Sequence, residues 1–352
     1  MQATPRPRLA QSQRRAADLI VPYSEEYQEA HREFAARMWP AKRRRRDAHY
    51  SRWKFRGPAS GAVSGLLLST DEGRVTGQLG VIPVDLRIGT GTCRAQWACD
   101  LMVDPSARRG GIGSSLLAAA MSRDVVTLGS NPSYPAEIAM TRLGFRPLAG
   151  PRIMVLPIDI SHVLGWKLPQ SMGWTRELLA RLGQPIADVR SRLLTGRRIG
   201  VEAVSCRWEE ITSLISIRQS SLTCPHVVHD SEYLKWRCSG LSGFSPEMLA
   251  LRTKAGSYAL AGQASPYFYV YEWSAEDEED FLALYSVIYR IAKDVNSSTI
   301  HTLANTPHEE RWLKSAGFLS LRQRVKVLWY PPERFLNNGS FTYDNYDSDG
   351  NL

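Results

Sequence analysis

The sequence predicts an α/β chain that builds one fold twice. An apolar strand, Trp97 to Val103, runs into a glycine-rich turn and then a helix from Ser114 to Met121. Asp47-x-x-Tyr50-x-x-Trp53-Lys54 recurs as Asp230-x-x-Tyr233-x-x-Trp236-Arg237, and Leu143-Gly144-Phe145 recurs as Ala316-Gly317-Phe318. Landmarks repeated in the same order mark an internal duplication. At 352 residues the chain is long enough for two cores.

Residues 1–17, rich in Gln, Arg, Ala and Pro, read as a disordered basic tail. The first copy is expected over 18–157. Its basic run Lys42–Arg46 reads as a solvated charged segment, with an anion patch as the alternative. Pro105 ends the apolar strand because it has no N–H for a ladder. The turn Arg108-Arg109-Gly110-Gly111-Ile112-Gly113 lets backbone approach a ligand closely, at the positive end of the following helix. That is a pyrophosphate site by chemistry. It matches neither the dinucleotide-binding G-x-G-x-x-G nor the P-loop. Gly144 reads as a helix C-cap, with Phe145 returning to the core and a strand at Arg152–Leu156.

A helical linker is expected over 158–197, broken at Gly183-Gln184-Pro185. The second copy is expected over 198–336. Its strand Tyr267–Ser274 leads into Glu276-Asp277-Glu278-Glu279-Asp280, where carboxylates replace the glycines and would repel a phosphate. Residues 337–352 read as a disordered acidic tail.

The spacing Arg108-x-x-Gly111-x-Gly113, the Val103-x-Pro105 before it and the Leu-Gly-Phe after it together resemble the acyl-CoA signature of the GNAT superfamily of N-acetyltransferases. The repeat resembles tandem-GNAT proteins, loosely those of bacterial exopolysaccharide clusters. The resemblance implies two tandem domains, each a mixed, largely antiparallel sheet flanked by helices. It implies acetyl-CoA as co-substrate, held by Leu101, Met102, Val103, Arg108, Arg109, Gly110, Gly111, Ile112, Gly113, Ser114 and Asn131. Asn131 reads equally well as a helix N-cap. Acyl transfer needs a neutral amine and a proton for the departing thiolate. Asp100, interrupting the apolar strand, is the candidate base, and a structural, paired aspartate is the alternative. The family's tyrosine acid is replaced by Met140, which leaves Tyr134 or water as donor.

The expected function is acyl-CoA-dependent N-acyltransfer to an amine acceptor, a small molecule or saccharide such as an amino sugar. The alternatives are a Fem-like aminoacyl-tRNA-dependent transferase and a non-catalytic CoA-binding protein. The net charge of +9 suits a ligand carrying phosphates; nucleic acid is not the expected partner, because the glycine turn is intact. Five scattered cysteines show no C-x-x-C pair, and His49, His226 and His229 show no ligand spacing, so no metal is expected. Cys99 reads as a small buried residue, and the Tyr50/Trp53 and Tyr233/Trp236 pairs as core. No apolar run is long enough to span a bilayer, and a cytoplasmic, membrane-free protein is expected.

Overall fold

The computed structural model describes residues 20–41, 47–56, 65–108, 110–123, 125–165, 173–195, 202–238, 248–331 and 340–347. Arg109, the Lys42–Arg46 run and the 1–17 tail lie outside them.

Among the described residues, thirteen strands form one sheet. They are β1 (Ile20–Pro22), β2 (Leu66–Asp71), β3 (Arg74–Ile88), β4 (Gly91–Val103), β5 (Val126–Ser130), β6 (Arg146–Pro157), β7 (Val204–Ser205), β8 (His226–Val227), β9 (Leu249–Arg252), β10 (Tyr258–Ala264), β11 (Tyr267–Ser274), β12 (Thr299–Ala304) and β13 (Leu319–Tyr330). The order is β1-β2-β3-β4-β5-β13-β6-β12-β11-β10-β9-β7, with β8 on β3.

That order reads the same way from either end. The run β2-β3-β4-β5 is mirrored by β9-β10-β11-β12, and the parallel pair β4/β5 is mirrored by the parallel pair β11/β12. Between the two runs, β13 pairs with β5 and β6 pairs with β12, while β6 and β13 pair with each other. Each copy therefore closes the other. The strand beside β5 comes from the end of the chain, and the strand beside β12 comes from the first half. The sheet runs on without a break across the expected boundary near 157/198, because β6 pairs with β12 and β13.

The repeated motif has a local cause. Asp47 accepts from the His49 N–H at 2.8 Å and Asp230 from the Tyr233 N–H at 2.8 Å, so each aspartate caps a helix, α2 (Ala48–Arg56) and α8 (Ser231–Cys238). Tyr50 and Tyr233 are buried, and Trp53 meets Trp236 with ring centroids 5.8 Å apart, so these aromatics are core where the copies meet.

Two expectations are corrected. The linker helix α6 (Gly173–Thr195) runs unbroken through Pro185. Gln184 bridges it to its neighbour, accepting from Ile160 N–H and donating to the Ile158 carbonyl. The acidic tail is no tail over 340–347, where Phe341, Tyr343, Tyr346, Asp344 and Asp347 are buried. The sequence masks this segment because its aromatics sit among Asn, Asp, Gly and Ser, with no strand or helix periodicity to reveal burial.

Candidate functional site

β4 and β5 pair from Ala95/Val126 to Ala98/Gly129, and β4 then continues to Val103 with no strand on that side among the described residues. The sheet splays here. The open flank of β4 carries Leu101, Met102 and Val103, all half-buried. β4 ends where Asp104 caps a short 3₁₀ turn, Pro105–Ala107, by accepting from Ser106 N–H and Oγ at 3.0 and 2.7 Å. Those bonds, with Arg74 beside it at 2.9 Å, hold the Asp104 carboxyl down at about 2.

The chain then enters the glycine turn. Arg108 folds back to donate from Nε to the Val103 carbonyl at 3.2 Å. Gly111 has φ of 80° and caps helix α3 (Ile112–Met121), with no side-chain cap and no acid in the first turn. Its backbone explains the glycine at 111. The glycines at 110 and 113 need another reason. A Cβ on Gly110 would sit 3.4 Å from the Ala107 carbonyl oxygen, and one on Gly113 would sit 3.8 Å from Val103 Cγ2, both ordinary contacts. The protein itself tolerates a side chain at both places. The room they leave lies at an uncapped helix N-terminus, where Ser114 also stands, and it fits a pyrophosphate.

Asp100 sits in a β-bulge. Gln78 pairs with Met102 and Gly80 with Cys99, so β4 has one residue too many, and Asp100 takes φ of 50°. The bulge turns its carboxylate to Lys54 Nζ of α2 at 2.6 Å, both side chains buried. Gln78 steadies the bulge, donating from Nε2 to the Asp100 carbonyl at 3.3 Å. Its Oε1 must then accept from His31 Nε2 at 2.9 Å, which fixes the His31 tautomer; burial pushes the His31 pKa down and keeps the ring neutral. Sequence reading identified Asp100 but not Lys54. The signal was there, because the repeat sets Lys54 against Arg237, a cation at the same helix position. Cys99 is buried, with Sγ 3.6 Å from the Gly80 carbonyl oxygen, and is part of the core.

Beyond β5, Asn131 does not cap the next helix, α4 (Tyr134–Arg142); Ser133 holds that position. Asn131 instead extends the strand pairing to β13, donating its N–H to the Lys326 carbonyl and accepting the Lys326 N–H at Oδ1. Its side-chain oxygen is thereby engaged. Tyr134 opens α4 with 76% of its surface exposed. Met140 is buried against Gly129, where a Cβ would come within 2.4 Å of Met140 Cε, so it serves the core.

The second copy repeats the geometry and fills it. β11 and β12 part after Tyr269/His301, and β11 has its own bulge at Tyr271. Helix α9 (Glu278–Asp294) is capped by Asp277, which accepts from Asp280 N–H. Asp280 is buried and accepts from Thr253 at 2.9 Å and from Ser257. The position that receives a glycine turn in the first copy is closed by the chain's own carboxylates.

The open strand flank is closed too, by residues 340–347. Asn345 donates its N–H to the Tyr271 carbonyl and its Nδ2 to the Val270 carbonyl. Arg237 donates to the Tyr346 carbonyl at 2.5 and 2.8 Å, and Phe341 and Tyr343 stand edge-on to Trp97 of β4. Below this strap, His229 touches Glu272 at 3.0 Å through Nδ1 and Asp347 at 2.6 Å through Nε2. Donation to two carboxylates raises the His229 pKa to about 10 despite burial. Arg218 (of α7, Trp208–Ser221) bonds Glu272 and Asp344 at 2.8 and 3.1 Å. Burial raises the Asp344 pKa to about 7. His229, Glu272 and Asp344 have ligand atoms within 4.8 Å of one another, but Arg218 and His229 already occupy these carboxylates as cations. His229 lies in the loop between β8 and α8, and there it is buried and ties the strap to β11.

Residues 23–124 match the model of the acetyltransferase (GNAT) domain family. No curated protein matches the chain by sequence. In structure it is similar to a GCN5-related N-acetyltransferase from Kribbella flavida, with 12% identity, TM-score 0.56, and 88% of this chain and 70% of that one covered. One from Anabaena variabilis gives 8% identity, TM-score 0.58, and coverage of 88% and 71%. Saccharomyces cerevisiae N-myristoyltransferase with bound myristoyl-CoA gives 13% identity, TM-score 0.50, and coverage of 85% and 79%. These likenesses establish a shared fold.

Proposed function

We propose that this chain, which carries a GNAT acetyltransferase domain over residues 23–124, moves an acyl group from acyl-CoA to an amine in the first cleft. The observation that carries the reading is the room at Gly110 and Gly113, left open by the protein at an uncapped helix end. Acyl-CoA supplies an activated thioester. The backbone N–H groups at the start of α3 hold its pyrophosphate, with Arg108 adding positive charge nearby and Arg109 given the same role on its place in the sequence alone. The flank of β4 at Leu101–Val103, which no neighbouring strand among the described residues covers, accepts an extended pantetheine arm as an added strand. Acetyl-CoA is the donor we assign.

Asp100, whose carboxylate lies 2.6 Å from Lys54 Nζ, takes the proton that the attacking amine must lose. Tyr134 or water returns a proton to the thiolate. The acceptor is a small-molecule or saccharide amine, with amino sugars as one member of the class. The second copy shapes the acceptor side and binds no CoA, because its helix end and strand flank are filled.

A second reading, a CoA-binding protein without turnover, draws support from buried Met140 at the family's acid position and from the Lys54–Asp100 pair. A thiol-release assay with acetyl-CoA and a panel of alkyl, peptide and amino-sugar amines separates them. Amine-dependent release supports transfer. CoA binding without release on any amine supports the second reading. Transfer that requires aminoacyl-tRNA contradicts both.

A further inference from the structure

The linker helix α6 presents an apolar stripe away from the protein. Its inward face carries Ala187 and Leu194, both buried, and Gly183, where a Cβ would come within 3.0 Å of Ile160. On the opposite face Trp174, Leu178, Leu182 and Val189 are 75%, 49%, 65% and 57% exposed, and Pro185 is exposed between them. At about 100° per residue these five positions fall within an arc of about 80°. A stripe of this kind on a helix marks a docking face.

One flank of the stripe carries Glu177, Arg181, Asp188 and Arg192, all exposed. Their signs alternate along the helix. Glu177 and Arg192 are equidistant from the Gln184–Pro185 bond, and so are Arg181 and Asp188. An antiparallel two-fold pair of helices sets the same flank of each against the other. Centred on that bond, it places each Arg181 opposite the partner copy's acid and each Glu177 opposite the partner copy's base. The stripe lies across that bond, with Trp174, Leu178 and Leu182 on one side of it and Val189 on the other. The charges on this flank cancel, which disfavours an anionic membrane as the occupant.

We infer that α6 pairs with α6 of a second copy of this chain, antiparallel, through Trp174, Leu178, Leu182 and Val189, with Arg181–Asp188 and Glu177–Arg192 as cross-pairs. The helix is 23 residues, about 34 Å long. A single helix pair of this length buries on the order of 1,000 Å² in total, the small end for specific interfaces, so a roughly micromolar dimer is expected.

The test is sedimentation equilibrium on the full chain between about 1 and 100 μM, a range chosen to bracket that affinity. The wild type should pass from monomer to dimer. Leu182→Glu should be monomeric throughout. Arg181→Glu should weaken the dimer about tenfold or more, and Asp188→Arg likewise, while Arg181→Glu/Asp188→Arg should restore it. All sites are exposed, so circular dichroism should be unchanged. A wild type that stays monomeric overturns the proposal. So does a dimer that Leu182→Glu leaves intact, or a double variant no tighter than the singles. Wild-type monomer that sediments with phosphatidylglycerol vesicles, and loses this with Leu182→Glu, assigns the stripe to a membrane instead.

Discussion

Asp100 and Lys54 bury opposite charges 2.6 Å apart, and breaking such a pair costs more than the pair itself contributes. Lys54→Met should destabilise the chain by about 3–5 kcal/mol, and adding Asp100→Asn should recover part of that loss. Equal stability of the wild type, Lys54→Met and the double variant in denaturant titration would contradict the pair. For turnover, Asp100→Asn should lower the rate by ~10²–10⁴-fold near neutral pH while CoA affinity holds. The loss should shrink as pH rises, because more of the amine is already neutral. Rates within about threefold of wild type at every pH would return Asp100 to a purely structural role. The pairing with Lys54 could be guessed from the sequence, since the repeat aligns two cations. The bulge that creates it could not, because one extra residue in a strand leaves no trace in apolar alternation.

The same scale holds His229. Its pKa is raised above the unfolded value, so its contribution to stability is full below about pH 6.5 and is lost as pH rises through about 10. Asp344, raised to about 7, also favours the folded state most when protonated, so its contribution fades over lower pH, from near 4 to 7. Nitrogen NMR of the His229 ring should show both nitrogens protonated at pH 8. A neutral ring at that pH would mean that the carboxylates around it are arranged otherwise.

At the scale of elements, the 340–347 strap is where sequence and structure part most. Composition marked it as a solvated tail; backbone bonds to β11 and three buried aromatics make it part of the core. Removing residues 338–352 should therefore lower the melting temperature by at least ~5 °C, since losing each buried aromatic costs several kcal/mol. An unchanged melting temperature would place the strap outside the folded core. The helices and the glycine turn, by contrast, were readable. Asp47 and Asp230 cap, Gly144 terminates α4 with φ of 96°, and Gly111 starts α3, each by a local rule. Pro185 reads as a break because it has no N–H and its ring crowds the preceding turn, yet α6 continues through it, with Gln184 beside it tied to Ile158 and Ile160.

At the scale of the molecule, the duplication was visible and the exchange was not. Sequence order says nothing about which copy's strand lies beside β5, because β6 and β13 carry the same Arg-apolar pattern. Cut between the copies, residues 1–197 lose β13 from between β5 and β6, and two strand edges open. That fragment should aggregate or unfold when expressed alone. A monomeric, cooperatively melting fragment would show that the first copy closes without its partner.

The proposed function requires one acyl-CoA site, at the first glycine turn. Titration calorimetry of CoA into the full chain tests it, with Gly113→Asp as the partner measurement. The fold has room for that side chain, and an acid in the first turn favours the helix, so the variant should melt no lower than wild type. The wild type should bind one CoA per chain, and the variant, with a carboxylate in the phosphate's place, should bind none. Undiminished binding to Gly113→Asp, or two equivalents bound by the wild type, would contradict the account.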